Sequence, residues 1–228
     1  QESVLEQLAA SEAVLSSDEK ELGIAVIDIG GGTTDVAIFE RGFLWHTAVV
    51  PIGGDHFTSD IAVGLRMPIP EAEKLKRRCG CALSSMVGDD ETMDVASVGG
   101  RSPRTMARRI LSEVLQPRAE EMCHLVWDEI HRAGYEKSLN SGIVLTGGGA
   151  NLDGMVEIAE QIFDMPVRRG APAGLGGLAD HVGNPSFATA VGLLLRAHRL
   201  RAHEMTQASG RGIGRLTELV KGVFKEFF

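Results

Sequence analysis

The sequence is poor in cysteine, in aromatic residues and in long apolar runs. It has three cysteines among 228 residues, and Phe, Trp and Tyr make up 5%. Three cysteines cannot all pair within one chain, and Cys79-Gly-Cys81 is spaced too closely for the C-x₂-C pattern of a zinc site. No signal peptide opens the chain, and no run of about 18 apolar residues could span a bilayer. These absences predict reduced thiols in a cytoplasmic setting.

Positive charge is also scarce over most of the chain. The formal net charge is −8, and because phosphate binding needs a basic face, this balance argues against a nucleic-acid partner. From Arg196 onward there are seven Lys or Arg and three Asp or Glu, which gives +4. The part before it has 16 basic and 28 acidic residues, which gives −12. A basic tail on an acidic body favours an anionic surface as partner, with a solvated tail as the alternative.

Glycine, in contrast, is frequent and is concentrated in turns that follow apolar runs. Residues 24–39 read IAVIDIGGGTTDVAIF, two β-branched runs around three glycines and two threonines. The pattern predicts a hairpin whose glycines adopt positive φ in a tight reversal. Free backbone N–H groups in such a turn, together with the hydroxyls of Thr33 and Thr34, could hold a phosphate. A hairpin whose glycines serve only its geometry is the alternative.

Strands and helices alternate along the rest of the chain, which indicates an α/β architecture around one sheet. A helix is expected within the first 15 residues. The later predicted elements are a strand at Phe43–Val50, helices from Asp55 and Pro70, a short strand at Met93–Val98, a long helix from Ser102-Pro103 that Pro117 kinks or restarts, a strand from Gly142, and helices at Asn151–Phe163 and from Pro185.

Residues 213–228 carry a separate amphipathic pattern. Their apolar residues recur at steps of three and four, and basic residues dominate the opposite face. The aperiodic residues 201–212 before them predict a flexible linker. A tethered, aromatic-rich amphipathic helix is typical of interfacial membrane binding, and a terminal helix docked on the body or on a partner is the alternative. The predicted membrane face comprises Leu216, Leu219, Val220, Val223, Phe224, Phe227 and Phe228.

Several of these motifs together resemble the actin-like ATPase superfamily. DIGGGTTD at Asp28–Asp35 is similar to its second phosphate loop, and GIVLTGGGANL at Gly142–Leu152 is similar to its adenosine loop. FATAVGLLL at Phe187–Leu195 matches the second connecting helix, and Glu73–Arg77 matches the E-x-x-K-R of the chaperone branch. The resemblance implies an α/β, actin-like (ribonuclease-H-like) ATPase domain.

Further motifs are similar to the FtsA family of bacterial cell-division proteins. They are GCALSS at Gly80–Ser85, SVGGRSPR at Ser97–Arg104, Gln116-Pro-Arg118 and the terminal amphipathic helix. The resemblance implies that the chain is the second half of such a molecule. It divides the chain into the end of a connecting helix and a loop (1–22), a core subdomain (23–67 and 105–199), a small inserted subdomain (68–104), a linker (200–212) and a membrane-targeting helix (213–228).

The resemblance also implies a site for ATP and Mg²⁺. Asp28 would act on the Mg²⁺ hydration shell through water, which suits a hard oxygen ligand. The β- and γ-phosphates would be held by Gly30, Gly31, Gly32, Thr33 and Thr34, and the adenosine would lie over Gly147, Gly148 and Gly149. Glu73 and Lys76 would reach the ribose or base, with a solvated helix face as the alternative. The other phosphate loop would lie in the half that is not part of this chain, so no residue here is assigned as catalytic, and hydrolysis by this half alone is not expected.

FtsA-like proteins polymerise into actin-like filaments and hold the FtsZ ring at the cytoplasmic face of the inner membrane, at the division site. The resemblance therefore implies the acidic C-terminal tail of FtsZ, anionic lipids, further copies of the chain and other division proteins as partners. Arg104 and Arg118 are the residues expected to bind the FtsZ tail, with a solvated basic face as the alternative. The alternatives are a pilus-assembly actin-like protein and an ATPase of the chaperone or sugar-kinase type.

Overall fold

A mixed five-stranded sheet runs through the middle of the protein. The computed structural model describes residues 3–96, 104–174, 176 and 182–201. The strands of the sheet are β1 (Ile24–Ile29), β2 (Thr34–Glu40), β3 (Phe43–Val50), β6 (Ile143–Thr146) and β7 (Val167–Arg169), in the order β3-β2-β1-β6-β7. β1, β2 and β3 are antiparallel neighbours, whereas β6 pairs in parallel with β1 and β7. The predicted α/β architecture and the predicted hairpin are confirmed.

Seven α-helices and a small second sheet complete the described part of the chain. The helices are α1 (Glu6–Val14), α2 (Ser17–Leu22), α3 (Gly54–Gly64), α4 (Ile69–Cys79), α5 (Arg108–Ala133), α6 (Met155–Phe163) and α7 (188–201). The second sheet pairs β4 (Thr92–Val95) with β5 (Arg104–Ala107). Among the described residues, no helix combines the length and apolar character needed to cross a membrane.

The side chains of β1 alternate between two cores on opposite faces of the sheet, as the period-two geometry of a strand requires. Ala25, Ile27 and Ile29 belong to the larger core, which also contains apolar residues of α3, α5 and α6. Ile24 and Val26 belong to the smaller core, which is covered by α1 and α7. Because helices cover both faces of the sheet, β1 is buried along its length except at Asp28, which is half-buried.

The sequence predicts that the long helix starts at Ser102-Pro103. This prediction is wrong for the residues that follow, because residues 104–107 are not helical. Residues 104–107 form β5, in which Met106 pairs with Met93 of β4, and α5 begins only at Arg108. Met106 packs against the larger core from a strand, because alternate residues of a strand can meet an apolar neighbour just as residues at helical spacing can. Ser102 and Pro103 themselves lie outside the described residues.

Two other element boundaries also differ from expectation. α2 is a short helix that the sequence does not predict, and the Ser16 hydroxyl accepts a hydrogen bond from the Glu19 N–H to form its capping box. α6 begins at Met155 rather than at Asn151, since Gly154 adopts a φ of +79° and separates the helix from a 3₁₀ turn at Gly148–Asn151. α5 runs on without interruption through Pro117.

The small subdomain predicted at 68–104 shares its core with the large sheet. Leu75 of α4 and Met93 and Val95 of β4 belong to the same buried cluster as β1. Its boundaries therefore remain an interpretation of the sequence. Residues 202–212 of the predicted linker (200–212) and the amphipathic segment 213–228 lie outside the described residues. Residues 200 and 201 continue α7, so the predicted start of the linker at 200 is wrong.

A bidentate ion pair joins the middle of α5 to α3. The Arg118 guanidinium donates to the Asp60 carboxylate at 2.7 and 3.0 Å and also pairs with Glu121 at 2.5 Å. Both side chains of the Arg118–Asp60 pair are about three-quarters buried, at 26% and 28% exposure. The parallel N–H···O bonds fix the orientation of the two helices, because the planar guanidinium matches a carboxylate in one geometry.

Candidate functional site

A cleft of about 550 Å³ lies beyond the carboxyl ends of the parallel strands β1 and β6. Both strands run straight into Gly-rich turns, so two stretches of backbone with no side chains meet at this edge of the sheet. Ligands in α/β proteins bind characteristically in such a crevice. Six of the predicted site residues line the cleft: Gly30, Gly31, Glu73, Lys76, Gly148 and Gly149.

The turn between β1 and β2 is held from behind by the first turn of α3. The N–H of Gly54 donates to the Gly30 carbonyl at 2.9 Å, and the N–H of Asp55 donates to the Gly31 carbonyl at 2.8 Å. A Cβ on Gly53, the residue before the helix, would lie 2.5 Å from the Gly31 carbonyl oxygen. Glycine at position 53 therefore permits the close approach that these two hydrogen bonds need.

Because the carbonyls of Gly30 and Gly31 point back to α3, the N–H groups of the same peptide planes, those of Gly31 and Gly32, point away from that helix. Within the described residues, the N–H groups of Gly31, Gly32 and Thr33 have no hydrogen-bond acceptor. A Cβ on Gly32 would meet nothing within 4 Å, so space lies in front of the turn. Successive unpaired N–H groups in a turn form an anion-binding concavity. The positive φ expected for Gly30, Gly31 and Gly32 is wrong, since none of them has it.

The two threonines of the turn do not play the same part. The Thr34 side chain is fully buried, and its hydroxyl donates to the Ile52 carbonyl at 2.7 Å. The prediction that this hydroxyl binds phosphate is wrong, because Thr34 is the first residue of β2 and faces the core. Thr33 is exposed, and its hydroxyl donates to a carboxylate oxygen of Asp35 at 3.3 Å.

Asp28 lies at the end of β1 against the second Gly-rich turn. Gly147 has a φ of +82°, and a Cβ on it would lie 2.2 Å from Oδ1 of Asp28. Position 147 therefore needs glycine for both its backbone conformation and its contact with this carboxylate. The other carboxylate oxygen, Oδ2, accepts a hydrogen bond from the Thr189 hydroxyl of α7 at 3.1 Å.

Other carboxylates lie near Asp28 at the end of β1. Burial raises the pKa of Asp28 to about 6, the Thr189 hydrogen bond opposes this rise, and the charges of Asp35 and Glu6 add to it. Burial also raises the pKa of Asp35, which accepts a hydrogen bond of 2.6 Å from the Gln7 side chain. Sequence reasoning missed Glu6, Gln7 and Thr189. Their only signal is polarity within otherwise apolar helical segments.

This donor set fits a hydrated cation beside a phosphate chain better than a metal bound by the protein alone. Within the part of the chain that the structure describes, no group of three or more His, Cys, Asp or Glu side chains could hold a metal ion directly. Mg²⁺ usually keeps several waters and takes one or two carboxylates together with substrate phosphates. The half-buried carboxylate of Asp28, at the end of the strand that leads into this turn, is such a single carboxylate.

Glu73 and Lys76 face the cleft from α4 as a connected pair. The Lys76 ammonium contacts Glu73, the Thr58 hydroxyl and the Gly54 carbonyl, each at 2.7 Å, and its side chain is 13% exposed. Burial would raise the pKa of Glu73, but hydrogen bonds from Lys76 and Thr58 outweigh it and hold that pKa below its usual range. Lys76 is therefore not a solvated face residue. Contact of the pair with a ribose or base stays a prediction.

The wall opposite α4 carries two asparagines that sequence reasoning also missed. Asn151 and Asn184 exchange reciprocal amide hydrogen bonds of 3.0 and 3.2 Å, and both line the cleft. A Cβ on Gly149 would lie 2.2 Å from the Ile29 side chain, whereas one on Gly148 would meet nothing within 4 Å. Gly149 thus packs the turn onto β1, and Gly148 leaves the floor of the cleft open.

The residues predicted to bind partners lie apart from the cleft. Arg104 donates to the Leu65 carbonyl, and Arg118 is engaged by Asp60 and Glu121. Neither lines the cleft. Their role toward FtsZ stays a prediction, and the predicted membrane residues of 216–228 lie outside the described part.

Comparison with known proteins identifies relatives over most of the chain. The family model described as "Cell division protein FtsA" matches residues 25–192. The cell division protein FtsA of Pseudomonas aeruginosa is 53% identical over 192 residues, which cover 84% of this chain and 46% of the relative. That of Escherichia coli (strain K12) is 47% identical over 194 residues, 82% of this chain and 46% of the relative. The chain spans about half the length of the curated relatives it matches.

A solved structure shows the same fold at low sequence identity. MreB 5 of Spiroplasma citri bound to AMPPNP matches with a TM-score of 0.69 at 20% identity, over 88% of this chain and 60% of that chain. The matching architecture is that of the actin-like ATPases. The chain therefore has an actin-like fold and belongs to the FtsA family of cell-division proteins.

Proposed function

We propose that this chain forms one half of an ATP- and Mg²⁺-binding cleft in an actin-like adaptor that holds the FtsZ ring at the inner membrane. The observation that carries the nucleotide part is the run of N–H groups without an acceptor at Gly31, Gly32 and Thr33, in the turn that follows Asp28 and β1. Phosphate oxygens accept hydrogen bonds from such backbone groups, and a hydrated cation balances the charge between the phosphates and the carboxylate.

Each wall of the cleft has a separate task in this proposal. The amides of Gly31 to Thr33 bind the terminal phosphates, and the first turn of α3 keeps them pointing into the cleft. Gly148 leaves room for the adenosine, and Lys76, held in place by Glu73 and Thr58, borders the ribose. Bound Mg²⁺ would supply positive charge to the phosphates.

Two comparisons support the nucleotide assignment. The structural neighbour MreB 5 was solved bound to AMPPNP, and its chain shares the fold of this one. The FtsA relatives are about twice as long as the matched region, so their remaining half is available to supply the opposite wall of the cleft. The proposal therefore concerns the protein of family length that contains this chain.

The adaptor part of the proposal rests on family membership and on the sequence. The chain belongs to a family of cell-division proteins, which favours the division ring over a pilus or a chaperone substrate. The amphipathic pattern of residues 213–228 suits peripheral binding at the cytoplasmic face of the membrane, with anionic lipids attracting its Lys and Arg residues. Assembly into filaments would strengthen binding by such single helices through avidity.

Gly147→Ala is expected to weaken binding of Mg²⁺–ATP by at least about tenfold, because the new Cβ displaces the Asp28 carboxylate. Gly134→Ala is the matched control, since Gly134 also has a positive φ, +77°, but its Cβ would meet nothing within 4 Å. Gly134 is left-handed helical at ψ 21°, where alanine costs about 1 to 2 kcal/mol. The backbone strain at Gly147 is larger, because its ψ of 173° together with a positive φ is open essentially to glycine alone. Isothermal titration of the family-length protein measures the affinities.

Equal affinities of the two glycine variants would contradict the assignment of the cleft. Gly148→Val provides a second measurement in case Gly147→Ala does not fold. Nothing lies within 4 Å of the added Cβ, so Gly148→Val keeps the fold while it fills the floor of the cleft. It is expected to abolish nucleotide binding without lowering the melting temperature.

Asp28→Asn is expected to stabilise the ligand-free protein at neutral pH. Because burial raises the folded-state pKa from 3.8 to about 6, the folded protein holds the proton more tightly than the unfolded chain. Ionisation of Asp28 at pH 7 therefore lowers the free energy of unfolding by about 1 to 3 kcal/mol, and Asn removes that cost. The gain is full above about pH 6, shrinks as the pH falls toward 3.8, and is absent below that value.

Urea unfolding at pH 7.5 and pH 5 measures this gain. The matched control is Asp128→Asn, since Asp128 is exposed on α5 and makes no hydrogen bond or ion pair within the described residues. It is expected to change stability by less than about 0.5 kcal/mol at either pH. A loss of stability in Asp28→Asn at pH 7.5 would show that this carboxylate supports the fold.

The adaptor role predicts that FtsZ sediments with anionic vesicles only when this protein is present. Replacing Phe224 and Phe227 by Glu is expected to leave both proteins in the supernatant, because the apolar face no longer inserts. Replacing Gly214 and Gly222 by Glu adds the same charge to the opposite face and is expected to keep most of the binding. Sedimentation that survives the first pair of substitutions would contradict the membrane helix. Sedimentation of this protein with the vesicles while FtsZ stays in the supernatant would contradict the tether.

A further inference from the structure

We propose that Thr189 of α7 is a positioning residue for Asp28 and holds its carboxylate in the orientation that binds the hydrated Mg²⁺. The inference rests on the proposed nucleotide function and assigns a role to a residue about 160 positions away from Asp28 in the chain. Thr189 makes no contact with the cation in this account. It acts only through the carboxylate.

The Asp28 carboxylate is confined on both sides. Its Oδ2 accepts the Thr189 hydroxyl at 3.1 Å, and its Oδ1 lies against the backbone of Gly147, where a Cβ would be only 2.2 Å away. Within the described residues, the Thr189 hydroxyl is the one hydrogen-bond donor to this carboxylate. Removing it leaves one side of the carboxylate free to turn.

Negative charge around the site repels the Asp28 carboxylate and favours its rotation away from this orientation. Asp35 lies opposite Asp28 in the β1–β2 pair, and Glu6 approaches from α1. Asp35 has its own donors in Gln7 and Thr33, so it is held in place. Repulsion between the carboxylates therefore acts on Asp28 whenever its single donor is lost.

α7 offers a rigid platform for the hydroxyl. Ala188 and Val191, on either side of Thr189, are buried in the smaller core. Gly192 lies so close to α1 that a Cβ on it would be 1.7 Å from the Ala9 carbonyl oxygen, so α7 cannot shift toward α1. The helix that carries the Thr189 hydroxyl is therefore held in place on the smaller core.

The direction of the hydroxyl also indicates a specific role. A threonine in a helix can turn its hydroxyl out to solvent or back to a carbonyl of the preceding turn. Thr189 instead donates across to β1, and no bond from its hydroxyl to α7 is present in the described part of the chain. The fold therefore uses this hydroxyl to connect the last helix with the end of the central strand.

Nucleotide affinity measured with Mg²⁺ and with EDTA separates positioning from simple structural support. In the family-length protein, Thr189→Val is expected to raise the Mg²⁺ concentration for half-maximal ATP binding about tenfold, as expected for loss of a hydrogen bond to a charged group. Its affinity in EDTA is expected to stay within about twofold of the unmodified protein. Thr189→Ser keeps the hydroxyl and is expected to restore the Mg²⁺ dependence.

Thr105→Val is the matched control, because Thr105 donates the same kind of bond, at 2.9 Å, to Asp94 in the β4–β5 hairpin. It is expected to leave the Mg²⁺ dependence unchanged. The proposal is overturned if Thr189→Val binds like the unmodified protein, or if it loses affinity equally with Mg²⁺ and with EDTA. If Thr189→Val has a lowered melting temperature, Thr189→Ala replaces it and is expected to show the same change in Mg²⁺ dependence. An unmodified protein that binds no nucleotide would instead contradict the proposed function itself.

Discussion

The hydrogen bonds from the start of α3 to the β1–β2 turn are the constraint on which the site depends. They engage the carbonyl oxygens of Gly30 and Gly31, so the N–H groups of the same two peptide planes, those of Gly31 and Gly32, point away from α3. Without that support from behind, a turn of three glycines has many accessible conformations and little reason to keep this one. Gly53 permits the contact, and the burial of Phe57 and Ile61 fixes α3 on the sheet.

The two cores position the polar side chains that the helices contribute around the turn. α3 and α4 pack against the larger core and bring Lys76 and Glu73 to one side of the cleft. α1 and α7 pack against the smaller core and bring Gln7 to the Asp35 carboxylate and Thr189 to the Asp28 carboxylate. Carboxylates therefore gather at the end of β1, where burial disfavours their ionised forms. A fold that tolerates this unfavourable arrangement gives up stability for a site, as is usual where charges are needed for binding.

Much of this arrangement could be predicted from the sequence, because the central hairpin and both Gly-rich turns are local patterns. The direction of each side chain was harder to predict. Thr34 sits beside Thr33 in the sequence, but the alternation of β2 turns it into the core. The position of Met106 among the neighbouring apolar residues fits a helix as well as it fits the strand that the structure shows. Gln7 and Thr189 reach the same end of the sheet from opposite ends of the chain, and no local pattern records such a meeting.

Amide hydrogen exchange at the turn tests the central claim most directly. The N–H groups of Gly31, Gly32 and Thr33 have no acceptor within the described residues, so they should exchange rapidly in the ligand-free protein. Exchange rates measured by NMR in the family-length protein, before and after saturation with Mg²⁺–ATP, show whether these amides gain a hydrogen-bond acceptor. If they bind phosphate, exchange at all three slows strongly when the nucleotide binds. Bound nucleotide with unchanged exchange at all three would contradict it.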